Sequence, residues 1–228
     1  MPEAAGRRTG GIPLLTVVVL LALVAALYMV FIYAPRERIM GEVQRIFYFH
    51  VASAWLGMLA FLVVFIGSIL YLWKGRLIYD RIAACSGEIG VVFTTIVLTT
   101  GPIWAKSVWG VWWTWDPRLT SALVMWIMYV AYLVLRASLP ESRKKLQFSA
   151  VYAIVAFLDV PIVFFSIRWW RRGMHPSDMT IDPQMIHALI VACIAFTLLY
   201  LLLLRVRLDV QRQQDRLDQI RRTILERE

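Results

Sequence analysis

An all-α membrane protein, folded as a bundle of six transmembrane helices, is the architecture this chain predicts. Three observations carry that expectation. Of its 228 residues 60% are hydrophobic and the mean hydropathy is +0.67, values typical of polytopic membrane proteins. Six apolar runs are each long enough to cross ~30 Å of hydrocarbon. The connections between them are short, so sequence neighbours should pack antiparallel in a single polytopic domain covering residues 1–228.

The first run, Ile12 to Tyr33, follows Arg7 and Arg8. It exceeds the usual signal-peptide core and no Ala-x-Ala site follows it, so it reads as a retained span. The next spans run over residues 47–73, 82–103, 119–135, 148–167 and 185–204. Asp116-Pro117 precedes the fourth and Asp182-Pro183 the sixth. Asp at the N-cap offers an acceptor to orphan amides, and Pro at the first helical position presets φ, so both pairs mark helix starts. The tail, residues 205–228, alternates charge with Leu208, Leu217, Ile220 and Leu225, the pattern of a polar or interfacial helix.

Charge sets the expected orientation. One side carries Arg7, Arg8, Lys74, Arg76, Arg81, Arg136, Arg143, Lys144, Lys145 and the seven arginines of the tail, 16 of the 24 basic residues. The other carries Arg36, Arg38, Arg45, Lys106, Arg118, Arg168, Arg171 and Arg172. The richer side is expected to be cytoplasmic, which puts both termini there and the 104–120 segment outside. The eight outer cations either snorkel at helix ends or pair with carboxylates of a ligand held at that face. The formal charge of +9 follows no nucleic-acid motif, so basic flanks of membrane spans account for it.

The two cysteines, Cys85 and Cys193, lie in apolar runs and indicate neither a disulfide framework nor a zinc site. Cys-x-x-Cys-His, the covalent haem attachment motif, does not occur. Nor does a nucleophile–base motif, a phosphate-cradling glycine loop or a metalloprotease helix, so ordinary hydrolytic catalysis has no support.

The chemistry concentrates between Trp104 and Trp115, where five of the ten tryptophans fall. Interfacial anchoring accounts for one or two. Five form an aromatic surface, expected to be flat and rigid, that suits a large planar ligand such as a tetrapyrrole. The three histidines, His50, His175 and His187, all fall on the outer half. Imidazole is a common axial ligand of haem iron, and two complete six coordination. Ile39, Val43, Ile46 and His50 recur at helical spacing as one apolar stripe, with Arg38, Glu42 and Arg45 beside it. Spacing alone does not choose between His175 and His187 as partner. Trp169, Trp170, Arg171 and Arg172 just before His175 repeat the Trp-plus-Arg theme and favour it, leaving His187 as structural. Glu88 and Asp159 fall inside spans, where a bare charge costs about 2.5–3.5 kcal/mol, so both are expected to face the bundle interior.

Trp109-Gly-Val-Trp112-Trp113-Thr-Trp115-Asp116-Pro117-Arg118-Leu119-Thr120 resembles the WWD signature, W-G-x-x-W-x-W-D-x-R-L-T, of haem-handling membrane proteins. Gly101-Pro102-Ile103-Trp104 resembles its lead-in. Arg45-Ile-Phe-Tyr-Phe-His50-Val and Arg168-Trp-Trp-Arg-Arg-Gly-Met-His175 are similar to the two histidine-bearing outer segments of the haem exporter protein C family, CcmC. The resemblance implies non-covalent, transient haem b held at the periplasmic face of the bacterial inner membrane and delivered to the chaperone CcmE during cytochrome c biogenesis. It also implies CcmA and CcmB transporter subunits and CcmD as partners beside membrane lipid, with no nucleic acid; any ATPase activity would belong to a partner. By position it makes His50 and His175 the axial ligands, and places Trp104, Trp109, Trp113, Trp115, Asp116 and Arg118 at the haem surface with Arg45 near the first ligand. Pro117 and Met174-His175-Pro176 depart from the usual family pattern. A WWD-type cytochrome c haem ligase, the enzymatic alternative, is expected to have more spans, more histidines and a sizeable outer domain. A b-type cytochrome subunit passing electrons to quinone is expected to carry histidine pairs within facing spans.

A reporter active only in the periplasm should be active when fused after Trp113 and silent after Lys145; the opposite pattern reverses the orientation.

Overall fold

A computed structural model describes residues 11–38, 40–140, 142–169 and 182–225. Lipid offers no partner to backbone amides, so each crossing segment must satisfy its own, and the helix does so. Among the described residues, six helical spans are long and apolar enough to cross a membrane. Helix α1 covers Gly11–Tyr28 and ends in a π turn, Met29–Tyr33. A 3-10 turn at Glu42–Gln44 leads into α2, Arg45–Lys74, and α3 covers Leu77–Trp109. Helix α4 is Pro117–Ser138, while α5, Arg143–Ala156, and α6, Asp159–Trp169, together form the fifth span. Helix α7 runs from Pro183 to Leu225.

The segment before α2 differs from its expected form. Glu37 and Gly41 are bridged and helical structure begins only with the 3-10 turn at Glu42–Gln44, so Arg38 is not on one helix with Glu42 and Arg45, and the His50 stripe runs only from Val43. Ile39, the first member of that stripe, lies outside the described residues.

Helix α2 is the centre of the bundle. Its Phe61 and Val64 belong to a core with Met125, Tyr129 and Tyr132 of α4, Ala153 of α5 and Val163 of α6. Its Leu56 and Ala60 join Ile89 and Phe93 of α3 and Tyr200 of α7. Tyr48, near its start, packs with Val30, Ala34, Met185 and Ala188. Close approach to α3 depends on missing side chains: a Cβ on Gly57 would come within 2.8 Å of Thr94, and one on Gly90 within 2.4 Å of Phe61. Small residues allow this backbone proximity, which membrane helices use in place of a hydrophobic driving force.

Local signals account for most boundaries. Gly75 (φ 65°) and Gly110 (φ 77°) close α2 and α3 in the left-handed conformation. Ser142 caps α5, its Oγ accepting from Lys145 N at 3.1 Å. Asp182 accepts from Gln184 N at 2.9 Å at the start of α7. The fifth span breaks at Phe157 and Leu158, where a continuous helix was expected. Pro161 has no N–H to give the Phe157 carbonyl and its ring crowds it; Val160 N donates there instead, at 3.0 Å.

At the end opposite the tryptophans the helices are tied by ion pairs. Arg136 of α4 grips Asp80 of α3 through two bonds of 2.7 and 2.8 Å, with both side chains largely buried. Glu88 of α3 is paired with Arg207 of α7 at 2.5 and 3.0 Å. Arg81 and Asp215 add a third link at 2.5 Å. The tail continues α7 as a polar helix, in line with its alternation of charged and apolar residues. At 43 residues and ~1.5 Å per residue, that helix is about twice as long as the hydrocarbon is thick.

Removing one partner of the buried pair leaves an uncompensated charge, so Arg136→Met should destabilise the protein by about 3–5 kcal/mol. Thermal unfolding in detergent should show this as a lowered midpoint, largely restored in the Asp80→Asn/Arg136→Met double variant.

Candidate functional site

At the tryptophan end α2, α3 and α4 enclose a cavity of about 340 Å³, floored by Met125 and Val163 and bounded by Met58, Ala122 and Leu119. Helix α2 presents Phe47, His50, Val51, Ala54 and Met58 to it, the i, i+3, i+4, i+7, i+11 face of one helix. Helix α3 answers with Thr94, Val97, Leu98, Gly101 and Ala105, again one face. The size lies in the ordinary range for ligand pockets, and apolar walls with few polar groups are what such pockets share.

The aromatic surface is not the flat one expected. Helix α3 runs on through Trp109, so Trp104 and Trp109 stand on its last turns as edge-on rings, 5.0 Å apart at 81°. After the turn at Gly110, Trp113 meets Trp115 in the same way, at 5.8 Å and 77°. T-shaped pairs avoid stacking two negative ring faces, and the result is a set of walls around a hole. Trp104, Trp109, Trp112 and Trp113 line it. Trp115 does not; it is 76% exposed. Trp112 is the lining indole that the motif missed, because it fills a variable position of the WWD pattern.

Two polar side chains are decisive. His50 lines the cavity, and its Nδ1 lies 2.9 Å from Thr100 Oγ1 on α3. Gly101 lets α3 pass beside the ring: a Cβ there would sit 3.3 Å from His50 Cε1. Arg118, on the first turn of α4, also lines the cavity. Among the described residues its guanidinium has no carboxylate within ion-pair distance. A half-buried cation without a counter-ion, in an apolar hole, is a seat for an anionic group.

Asp116 and Arg45 are occupied elsewhere. Asp116 Oδ1 accepts from Arg118 N and Leu119 N at 3.0 and 3.1 Å, and Oδ2 accepts from Thr114 Oγ1 at 2.8 Å. It is the N-cap that holds α4 in place and so aims Arg118. Arg45 donates to the Val30 carbonyl and to Glu42 and lies over the Phe31 ring at 5.6 Å, tying the end of α1 to the start of α2. Neither lines the cavity. His187 is exposed on α7, its Nδ1 3.3 Å from Tyr33 Oη. His175, Trp170, Arg171 and Arg172 lie outside the described residues.

A multi-pass helical membrane protein with a tryptophan-walled cavity holding one imidazole and one free guanidinium is thus the class that fold and site define. Residues 5–221 match the family described as Heme exporter protein C, CcmC. Heme exporter protein C of Bradyrhizobium diazoefficiens is 33% identical over 177 residues, 75% of this chain and 67% of that protein. The Escherichia coli K12 protein of the same name is 35% identical over 160 residues, 67% of this chain and 64% of the relative. That of Rhodobacter capsulatus is 27% identical over 209 residues, 88% and 86% of the two chains. The chain belongs to the heme exporter protein C family, whose role is haem handling in cytochrome c maturation.

Replacing the cap should loosen α4 where it meets the cavity. Asp116→Ala is expected to cost about 1 kcal/mol and to speed hydrogen exchange at the Arg118 and Leu119 amides while the far end of α4 stays protected.

Proposed function

We propose that this protein binds haem b non-covalently in the cavity between α2, α3 and α4 and passes it to the chaperone CcmE on the periplasmic side of the inner membrane. The observation that carries the proposal is the pairing, in one apolar cavity, of His50 with the uncompensated Arg118. An iron porphyrin asks for those two groups: a nitrogen donor for the metal and a cation for its carboxylates.

Haem is cargo here. His50 supplies one axial nitrogen, and His175 is proposed as the second because the resemblance assigns it, on the segment between α6 and α7. Trp104, Trp109, Trp112 and Trp113 present ring edges and faces to the macrocycle. Burial of one such face is worth a few kcal/mol, and a charge-assisted contact from Arg118 to a propionate fixes the in-plane orientation. Asp116 acts through Arg118 by capping α4, Trp115 by bracing Trp113, and Arg45 by holding α1 against α2. The excess of Lys and Arg at the opposite end of the bundle supports a cytoplasmic placement of that end. Two neutral imidazole ligands suit transfer by ligand exchange to a partner. The chain is a handling component and no bond of the porphyrin is made or broken on it. CcmA, CcmB and CcmD are the partners this reading adds, with any ATP hydrolysis confined to them.

Purified protein should take up haem and show the absorption of a six-coordinate complex. His50→Ala and His175→Ala should each weaken it and the double variant should abolish it. Arg118→Gln should bind about tenfold or more weaker, the loss of one charge-assisted contact, with the coordination spectrum kept. Undiminished haem in the double histidine variant contradicts the assignment.

A further inference from the structure

We propose that Thr100 is a positioning residue for His50, fixing the imidazole as the tautomer with its proton on Nδ1 and its lone pair on Nε2. The inference rests on the reading of His50 as the ligand of haem iron and adds the group that makes it one.

The argument begins on α3. Thr100 Oγ1 lies 2.7 Å from the carbonyl oxygen of Ile96, one turn back, and 2.9 Å from His50 Nδ1. A hydroxyl has one proton and two lone pairs, whereas a carbonyl oxygen only accepts. If the hydroxyl proton turned to Nδ1, two oxygens 2.7 Å apart would face each other lone pair to lone pair. Donation to Ile96 removes that repulsion, a back-bond common for threonine inside helices. Oγ1 is then an acceptor towards the ring, and Nδ1 must carry a proton to meet it. The neutral imidazole has only one N–H. Nε2 is left with its lone pair, and among the described residues nothing binds it.

Metal-ligating histidines generally donate their other N–H to an oxygen, which sets the tautomer, holds the ring plane and raises the basicity of the coordinating nitrogen. Here the oxygen is a hydroxyl on the neighbouring helix, 50 residues away in sequence. Gly101, beside it, leaves the space that the ring occupies. The α2–α3 contact therefore delivers a prepared ligand to the cavity before any haem arrives, and the chain does not wait for iron to select the tautomer.

The test needs no haem. In full-length protein labelled with 15N at its three histidines, in detergent at pH 7.5, the two ring nitrogens of His50 are resolved by long-range proton–nitrogen correlation and assigned by their loss in His50→Ala. The expected pattern has the proton on Nδ1. A proton on Nε2 in the unaltered chain overturns the proposal, and this measurement does not depend on any variant folding. Thr100→Val should shift the pattern to a mixture of tautomers and weaken haem binding about 10–100-fold, the usual scale for losing such a partner; Thr100→Ser should restore both. An unchanged pattern in Thr100→Val also overturns the proposal. If His50→Ala keeps its full haem affinity while the Nδ1 proton is observed, the ligand assignment fails and the tautomer assignment stands.

Discussion

The backbones of α2 and α3 run close enough that glycine is required where they touch, and the candidate site at the tryptophan end depends on that contact. Gly57 faces Thr94 and Gly90 faces the Phe61 ring, each with no room for a Cβ. Further towards the tryptophan end, Gly101 and Thr100 meet His50. The α2–α3 interface therefore serves two purposes. Its lower glycines bring the helices together, and its upper residues use that proximity to seat an imidazole. In lipid, where apolar side chains gain nothing by leaving solvent, this packing and the hydrogen bonds across it carry the association.

The two ends of the bundle are built differently. The basic end is stapled by charge: Asp80 to Arg136, Glu88 to Arg207 and Arg81 to Asp215 link α3 with α4 and α7. The tryptophan end holds a cavity lined by Arg118, which among the described residues has no carboxylate within ion-pair distance. A protein closed tightly at one end and open at the other can change occupancy without loosening its spans. The Asp116 cap fits the same division, since it fixes the origin of α4 and spends both carboxylate oxygens doing so.

Much of this was legible in the residues because hydrocarbon imposes one simple demand. Runs of about twenty apolar residues announce spans, and the Asp-Pro pairs at 116–117 and 182–183 announce helix starts. The site was legible in part. His50, Trp104, Trp109, Trp113 and Arg118 do meet around one cavity. The rest was hidden for physical reasons. No spacing rule says whether indoles lie flat or stand edge-on, and Trp112 sits at a position its motif leaves free. Arg45 and Asp116 carry local duties that the motif does not show. The break between α5 and α6 lies inside one long, mainly apolar run, and Asp159 and Pro161 are the hints of it. Thr100 was invisible because its role depends on a partner 50 residues distant; a run of threonines before Pro102 was the one available signal.

The most direct measurement is a structure of the haem-loaded chain in a lipid environment. The account requires the porphyrin between α2, α3 and α4, its iron bonded to His50 Nε2 and a propionate against Arg118. A macrocycle lodged elsewhere, or iron coordinated without His50, would contradict it.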